Sequence, residues 1–259
     1  MTIISRLLRA SVIFGPNVKI MQKLFSLLVA LVVITGCDSG IEGVGAPIEE
    51  ARIVAPFEVL VVESSVNVNL FNTKRGEEPR VVVHAEANLQ PYVVTEVKDP
   101  KLTVSFEENL RSVSGITVDV YCNNLLKLIH RGSGQIAGAQ TLKFVHLFVQ
   151  NEGSGDVILD LRGDELQVKN DGSGDVDLTG KAREARLELG GSGDVNALGF
   201  NVRIAEARNE GSGNLSLNAR REIEAVLEGS GDIKYLFEGQ DDDLDLERDG
   251  SGQLVRLKN

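Results

Sequence analysis

The sequence predicts an all-β protein, a single-stranded parallel β-helix (a β-solenoid) with rungs of about 20 residues. Three observations predict it. The tripeptide Gly-Ser-Gly occurs seven times, starting at Gly132, Gly153, Gly172, Gly191, Gly211, Gly229 and Gly250, at intervals of 21, 19, 19, 20, 18 and 21 residues. Aliphatic residues stand at fixed offsets from each of these corners. Aromatics are only 5% of the chain and Trp is absent, so the core must come from stacked aliphatic columns rather than large rings.

The offsets define the strands. Four residues after the first Gly stand Ile136, Val157, Val176, Val195, Leu215, Ile233 and Leu254. Four before it stand Leu128, Val149, Val168, Leu187, Ala207, Ala225 and Leu246, and six before it Leu126, Leu147, Leu166, Ala185, Ala205, Ile223 and Leu244. The residues between them are mostly polar, the alternation of a strand with one buried face. Each repeat is therefore a strand, a sharp corner and a second short strand. Equivalent residues then stack ~4.8 Å apart, and seven rungs give a core ~33 Å long. The corner glycines fit a turn where backbones of neighbouring rungs approach closely. Propeller repeats run to ~40 residues or more, which does not match. Antiparallel meanders rarely repeat one corner at every second strand.

Residues 52–130 lack the Gly-Ser-Gly mark but still alternate. Phe57 to Val62, Val66 to Phe71, Val81 to Ala87, Tyr92 to Val97, Leu102 to Phe106 and Ile116 to Tyr121 read as strands. They are expected to form irregular first rungs and a cap, because an open rung end invites aggregation. The β-helix domain thus covers 52–259, with regular rungs over 131–259. Arg256 and Lys258 are expected to block the far edge with charge.

The chain starts with a targeting segment. Leu24 to Ile34 is an almost wholly apolar run, too short to span a bilayer and suited to a signal-peptide core. Arg6, Arg9, Lys19 and Lys23 precede it, and Met21 is an alternative start. The run ends in Ile34-Thr35-Gly36-Cys37, which resembles a bacterial lipobox. That implies a lipoprotein signal peptide over 1–36, lipidation of Cys37, and a membrane partner through that anchor. Residues 37–51, rich in Gly and acid, are expected to be a flexible tether.

The net charge is −11, and removing residues 1–36 with their four basic groups makes it −15. Such a surface repels phosphate backbones, so nucleic acid is excluded as a partner. Two cysteines cannot make a disulfide scaffold. With Cys37 acylated, Cys122 is unpaired and expected to be buried and inert.

The corners, together with Pro56-Phe57-Glu58-Val59-Leu60-Val61, Gly153-Ser154-Gly155-Asp156-Val157 and Gly172-Ser173-Gly174-Asp175-Val176, resemble the bacterial putative autotransporter adhesin, head GIN domain family. The similarity covers roughly 52–254. It implies a right-handed single-stranded parallel β-helix on an exported bacterial protein, and no defined activity. One departure is the residue before the corner. It is often small in that family but acidic here at Glu152, Asp171, Glu210, Glu228 and Asp249.

No catalytic set stands out. Asp156, Asp175, Asp194 and Asp232 follow the corners once per rung, whereas a catalytic carboxylate pair is a singular feature. They are expected to accept backbone N–H bonds. Gly-x-Ser-x-Gly is not matched. His84, His130 and His146 lack metal spacing and are expected at the surface or strand edges. Glu152, Asp156, Asp171 and Asp175 form an acidic stripe, a candidate Ca²⁺ site, with a solvated acidic face as the default. Asp241-Asp242-Asp243 is expected to be a solvated loop. Asn151, Asn170 and Asn209, two residues before the Gly, suggest a partial asparagine ladder.

The expected protein is a non-enzymatic lipoprotein of the bacterial cell envelope, without cofactor. It would sit on the periplasmic side of either membrane or at the cell surface, and serve as an adhesin-like binding module or scaffold for an envelope protein or glycan. The alternatives are a carbohydrate-active β-helix enzyme and a signalling accessory that binds a membrane partner. The first needs an acid pair in a groove with aromatic sugar platforms.

Overall fold

The computed structural model describes residues 40–74, 76–106, 110–111 and 115–258. The expected signal peptide over 1–36 and Cys37 lie outside the described residues. Within them the chain is a parallel β-solenoid, and its only helical pieces are two 3-10 turns, Gln90–Tyr92 and Asp241–Asp243. The second is exposed and tied to Arg256 at 2.7 Å.

Each rung contributes one strand to each of two parallel stacks. The first sheet runs Lys101–Phe106, Val59–Val62, Lys127–His130, His146–Asn151, Glu165–Asn170 and Glu184–Leu189. It continues through the second halves of Val195–Asn209 and Leu215–Leu227 to Leu244–Arg248. The second sheet runs Thr117–Cys122, Asn67–Asn72, Ile136–Gly138, Val157–Arg162 and Val176–Lys181. It continues through the first halves of the same two long strands to Ile233–Phe237 and Leu254–Arg256. The predicted columns are therefore real registers. Ile136, Val157, Val176, Val195, Leu215 and Ile233 are buried, as are Leu128, Val149, Val168, Leu187, Ala207 and Ala225. Together these small aliphatics make one continuous core. In the last rung Leu244, Leu246 and Leu254 are half-buried and pack against its end.

Rung order is not chain order. The rung containing Val59–Val62 and Asn67–Asn72 is sandwiched between Lys101–Cys122 on one side and Lys127–Gly138 on the other. After Asn72 the chain leaves the stack and returns to lay down the end rung. It then climbs past the earlier one through Asn123–Leu126, where Asn124 has a left-handed φ of 59°. Leu126, expected to point inward, is instead exposed, because the strand in that rung starts only at Lys127.

Antiparallel strands close this end. Val93–Lys98 pairs with Lys101–Phe106, Arg80–Glu86 with Thr117–Cys122, and Pro47–Ile53 with Arg80–Glu86. The expected tether over 37–51 is thus part of the fold from Ile41 onward. Ile41–Glu42 pairs with Leu110–Arg111, and the turn after it is held by Asn88, which accepts from Val44 N at 2.9 Å and donates to Glu42 O at 2.8 Å. Arg52 bridges the two sheets across the cap. It lies on a strand of the second sheet yet donates to the carbonyls of Val93, at 2.6 Å, and Gln90, at 2.8 Å.

Candidate functional site

The corner is built by three stacked ladders. Its glycines let adjacent rungs touch: a Cβ on Gly174 would collide with the backbone carbonyl of Gly155, which no side-chain adjustment relieves. The asparagine ladder lies inside. Asn170 is fully buried, donates to Gly174 O at 2.9 Å and accepts from Gly172 N at 3.2 Å, and Asn151 and Asn209 repeat the pattern. These amides satisfy the corner's own backbone, the structural role that their spacing suggested. Arg248 at the same offset reaches Gly252 O at 3.4 Å.

The aspartates form the outer ladder. Asp156 Oδ1 accepts from Asp175 N at 3.0 Å, Asp175 from Asp194 N at 2.8 Å, Asp194 from Asn214 N at 2.7 Å, and Asp232 from Gln253 N at 2.9 Å. On the other side of the corner Glu152 pairs with Arg131 at 2.8 Å, and Asp171 with Lys169 at 2.8 Å. The four residues of the candidate Ca²⁺ stripe are thus engaged, two by backbone N–H groups and two by basic side chains. Among the described residues no group of three or more His, Cys, Asp or Glu is placed to hold a metal ion. The serines face outward, with Ser65 and Ser133 hydroxyls 2.8 Å apart.

His130 departs from expectation. It occupies the asparagine offset and is fully buried, not at the surface, and neither ring nitrogen is in hydrogen-bonding geometry with a partner. Burial lowers its pKa from the ordinary 6.5, a shift that Asn151 and the nearby Gly155 carbonyl only partly oppose. Of the other histidines, His84 is half-buried with Nε2 2.9 Å from Asp119, and His146 is exposed with Nδ1 2.9 Å from Glu165. Cys122 is buried as expected, and desolvation pushes its thiol up to about 12, which makes it unreactive.

Sequence reasoning missed a groove on the outer face of the first sheet, about 500 Å³ in volume. It runs across several rungs, because outward residues stack in register. His146, Glu165, Glu184 and Ile204 form one row, and Phe148, Gln167, Arg186 and Glu206 the next. Leu126 closes one end. The carboxylates on this face are paired with cations: Arg186 is 2.9 Å from both Glu188 and Glu206, and Arg183 bonds Glu165 and Glu184. Lys127 Nζ sits 4.6 Å from the Phe148 ring centroid and covers a face of that ring. The signal that could have found the groove lay in the two outward offsets, where apolar Ile204 interrupts one polar column and Phe148 the other.

The family model for the putative auto-transporter adhesin, head GIN domain, matches residues 56–238. The chain belongs to this family. No curated protein matches it. Solved structures share the head GIN fold at low identity. A putative adhesin from Bacteroides fragilis NCTC 9343 is 24% identical, with a TM-score of 0.79 over 84% of this chain and 100% of that one. A putative adhesin from Parabacteroides distasonis ATCC 8503 is 21% identical, with a TM-score of 0.68 over 85% of this chain and 100% of its own. A putative lipid binding protein from the same organism is 22% identical, with a TM-score of 0.66 over 85% and 100%. In the head GIN domain described here the repeats that carry the match are also those that build the ladders and the groove.

Proposed function

We propose that this head GIN domain is a lipid-anchored, adhesin-like binding module of the bacterial cell envelope, with no chemistry of its own. The observation that carries the proposal is the groove. It is a concave strip in which half-buried Phe148 and Ile204 and exposed Leu126 reach the surface, set on a stack whose neighbouring residues are fixed in register. The family's adhesin description and the lipobox-like Ile34-Thr35-Gly36-Cys37 support the placement in the envelope.

The carbohydrate-active alternative has less support. The groove carboxylates Glu165, Glu184 and Glu206 recur along the stack and are paired with Arg183 or Arg186, so no one pair is set apart as acid and base. Phe148 is the one aromatic lining the groove among the described residues, and Lys127 occupies a face of it. The envelope partner, protein or glycan, would lie along the stack and make repeated weak contacts.

The test is adhesion of cells displaying the full chain to surfaces coated with envelope polysaccharide or envelope protein. Phe148→Asp with Ile204→Asp is expected to abolish retention on whichever surface holds the wild type, while Ile158→Asp on the opposite sheet leaves it unchanged. Equal retention of all three would contradict the groove as the contact surface.

A further inference from the structure

Six large apolar side chains are exposed among the described residues, and three of them belong to one short segment: Val44 at 72%, Ile48 at 48% and Ile53 at 81%. This segment is the outermost layer of the cap, and Pro47–Ile53 pairs on one side only. It is firmly held. Asn88 pins the turn at Val44, and the Arg52 guanidinium ties the strand to Gln90 and Val93. Its acids already have partners, since Glu50 lies 2.7 Å from Arg52 and Glu49 lies 3.7 Å from His84.

The covalent chain fixes where this surface can go. Ile41 is four residues after Cys37, so even a fully extended connection spans at most ~14 Å. One leaflet's headgroup layer is about 5–8 Å deep, so this reach keeps the attached end at the membrane surface and falls far short of the ~33 Å length of seven rungs. An anchor at Cys37 therefore holds the domain at its capped end.

We propose that the capped end, through Val44, Ile48 and Ile53, seats in the headgroup layer of the membrane that holds Cys37. The regular rungs and the groove then project away from it. The proposal rests on the lipid-anchor reading above. The partner is a lipid surface: the apolar tips enter the interface, and the free backbone edge of Pro47–Ile53 is hydrated by headgroups and water.

The experiment uses the full acylated chain, purified from membranes and reconstituted in phosphatidylcholine vesicles. Single cysteines are introduced by Val44→Cys, Ile48→Cys and Ile53→Cys, with Val145→Cys and Ile158→Cys as exposed controls. Each is labelled with an environment-sensitive fluorophore. Cys122 is buried and unreactive, so the label reports the chosen site. Lipid spin-labelled at the headgroup is expected to quench the first three at least twofold and to leave the controls unchanged. Absence of quenching at all three, with palmitate still on Cys37, overturns the proposal and leaves the anchor standing. Absence of palmitate overturns both. Equal quenching at all five sites also overturns it, because the domain would then lie on its side. Amide exchange of the unsubstituted chain is a check that needs no variant. Residues 44–53 should exchange more slowly on vesicles than after lipid removal, and an unchanged rate contradicts the proposal.

Discussion

The carboxylate of Asp194 accepts the backbone N–H of Asn214 at 2.7 Å, one rung further along the stack. The side chain of Asn214 then does the same for Asp232 N at 3.1 Å. An acid and an amide thus perform one task in one column, so the task is hydrogen-bond acceptance, not charge. Asp194→Asn is expected to fold with unchanged stability. Asp194→Ala should lose about 1 kcal/mol or less, the net worth of one such bond at an exposed site. Urea midpoints of the two variants decide the matter.

Gly174 and Gly155 stack so closely that a Cβ on the first meets the carbonyl oxygen of the second. Gly174→Ala should therefore cost about 3 kcal/mol or more, since backbone must move in two rungs. Ser173→Ala, whose side chain faces out, should change stability by less than ~0.5 kcal/mol. Thermal melts of the pair test whether the corner is selected for its glycines or its serine.

His130 stands where its neighbours in the stack carry Asn151 and Asn170, and it leaves both ring nitrogens without a hydrogen-bonding partner. His130→Asn is expected to stabilise the protein by about 1 kcal/mol by satisfying a buried polar site. The pH dependence has a definite sign. The unfolded chain protonates this ring near its ordinary 6.5, and burial lowers the folded value. The stability that depends on a neutral ring is complete above pH 6.5 and is lost as pH falls through the folded value. Urea midpoints at pH 7 and pH 5 should fall more for the wild type than for His130→Asn.

Arg52 donates to Val93 O at 2.6 Å and Gln90 O at 2.8 Å, closing the cap between the sheets. Arg52→Ala should cost about 2 kcal/mol, the range for hydrogen bonds from a charged donor. The loss should be local, with faster amide exchange over 47–53 and 93–98 and unchanged protection in the regular rungs. Uniform loss of protection would mean that the cap and the stack unfold as one.

What the sequence revealed was what recurs. Val149, Val168 and Leu187 share an offset, a burial and a register, because stacking turns a period in the chain into a column in space. Asn151, Asn170 and Asn209 were legible for the same reason. The order of the first rungs was not, because the placement of Val59–Val62 between Lys101–Phe106 and Lys127–His130 depends on long-range pairing that leaves no local mark. Pro47–Ile53 was hidden by its composition, since it is mostly exposed and becomes a strand by pairing with Arg80–Glu86. His130 was misjudged because its own type suggested a surface, while its column placed it inside.

The proposed envelope placement depends on Cys37 as the lipid anchor. The direct measurement is radiolabelled palmitate incorporation and membrane fractionation in the native host, comparing the wild type with Cys37→Ala. The wild type is expected to carry label and sediment with membranes, and the variant to lose both. A wild type that is soluble and unlabelled would contradict the account.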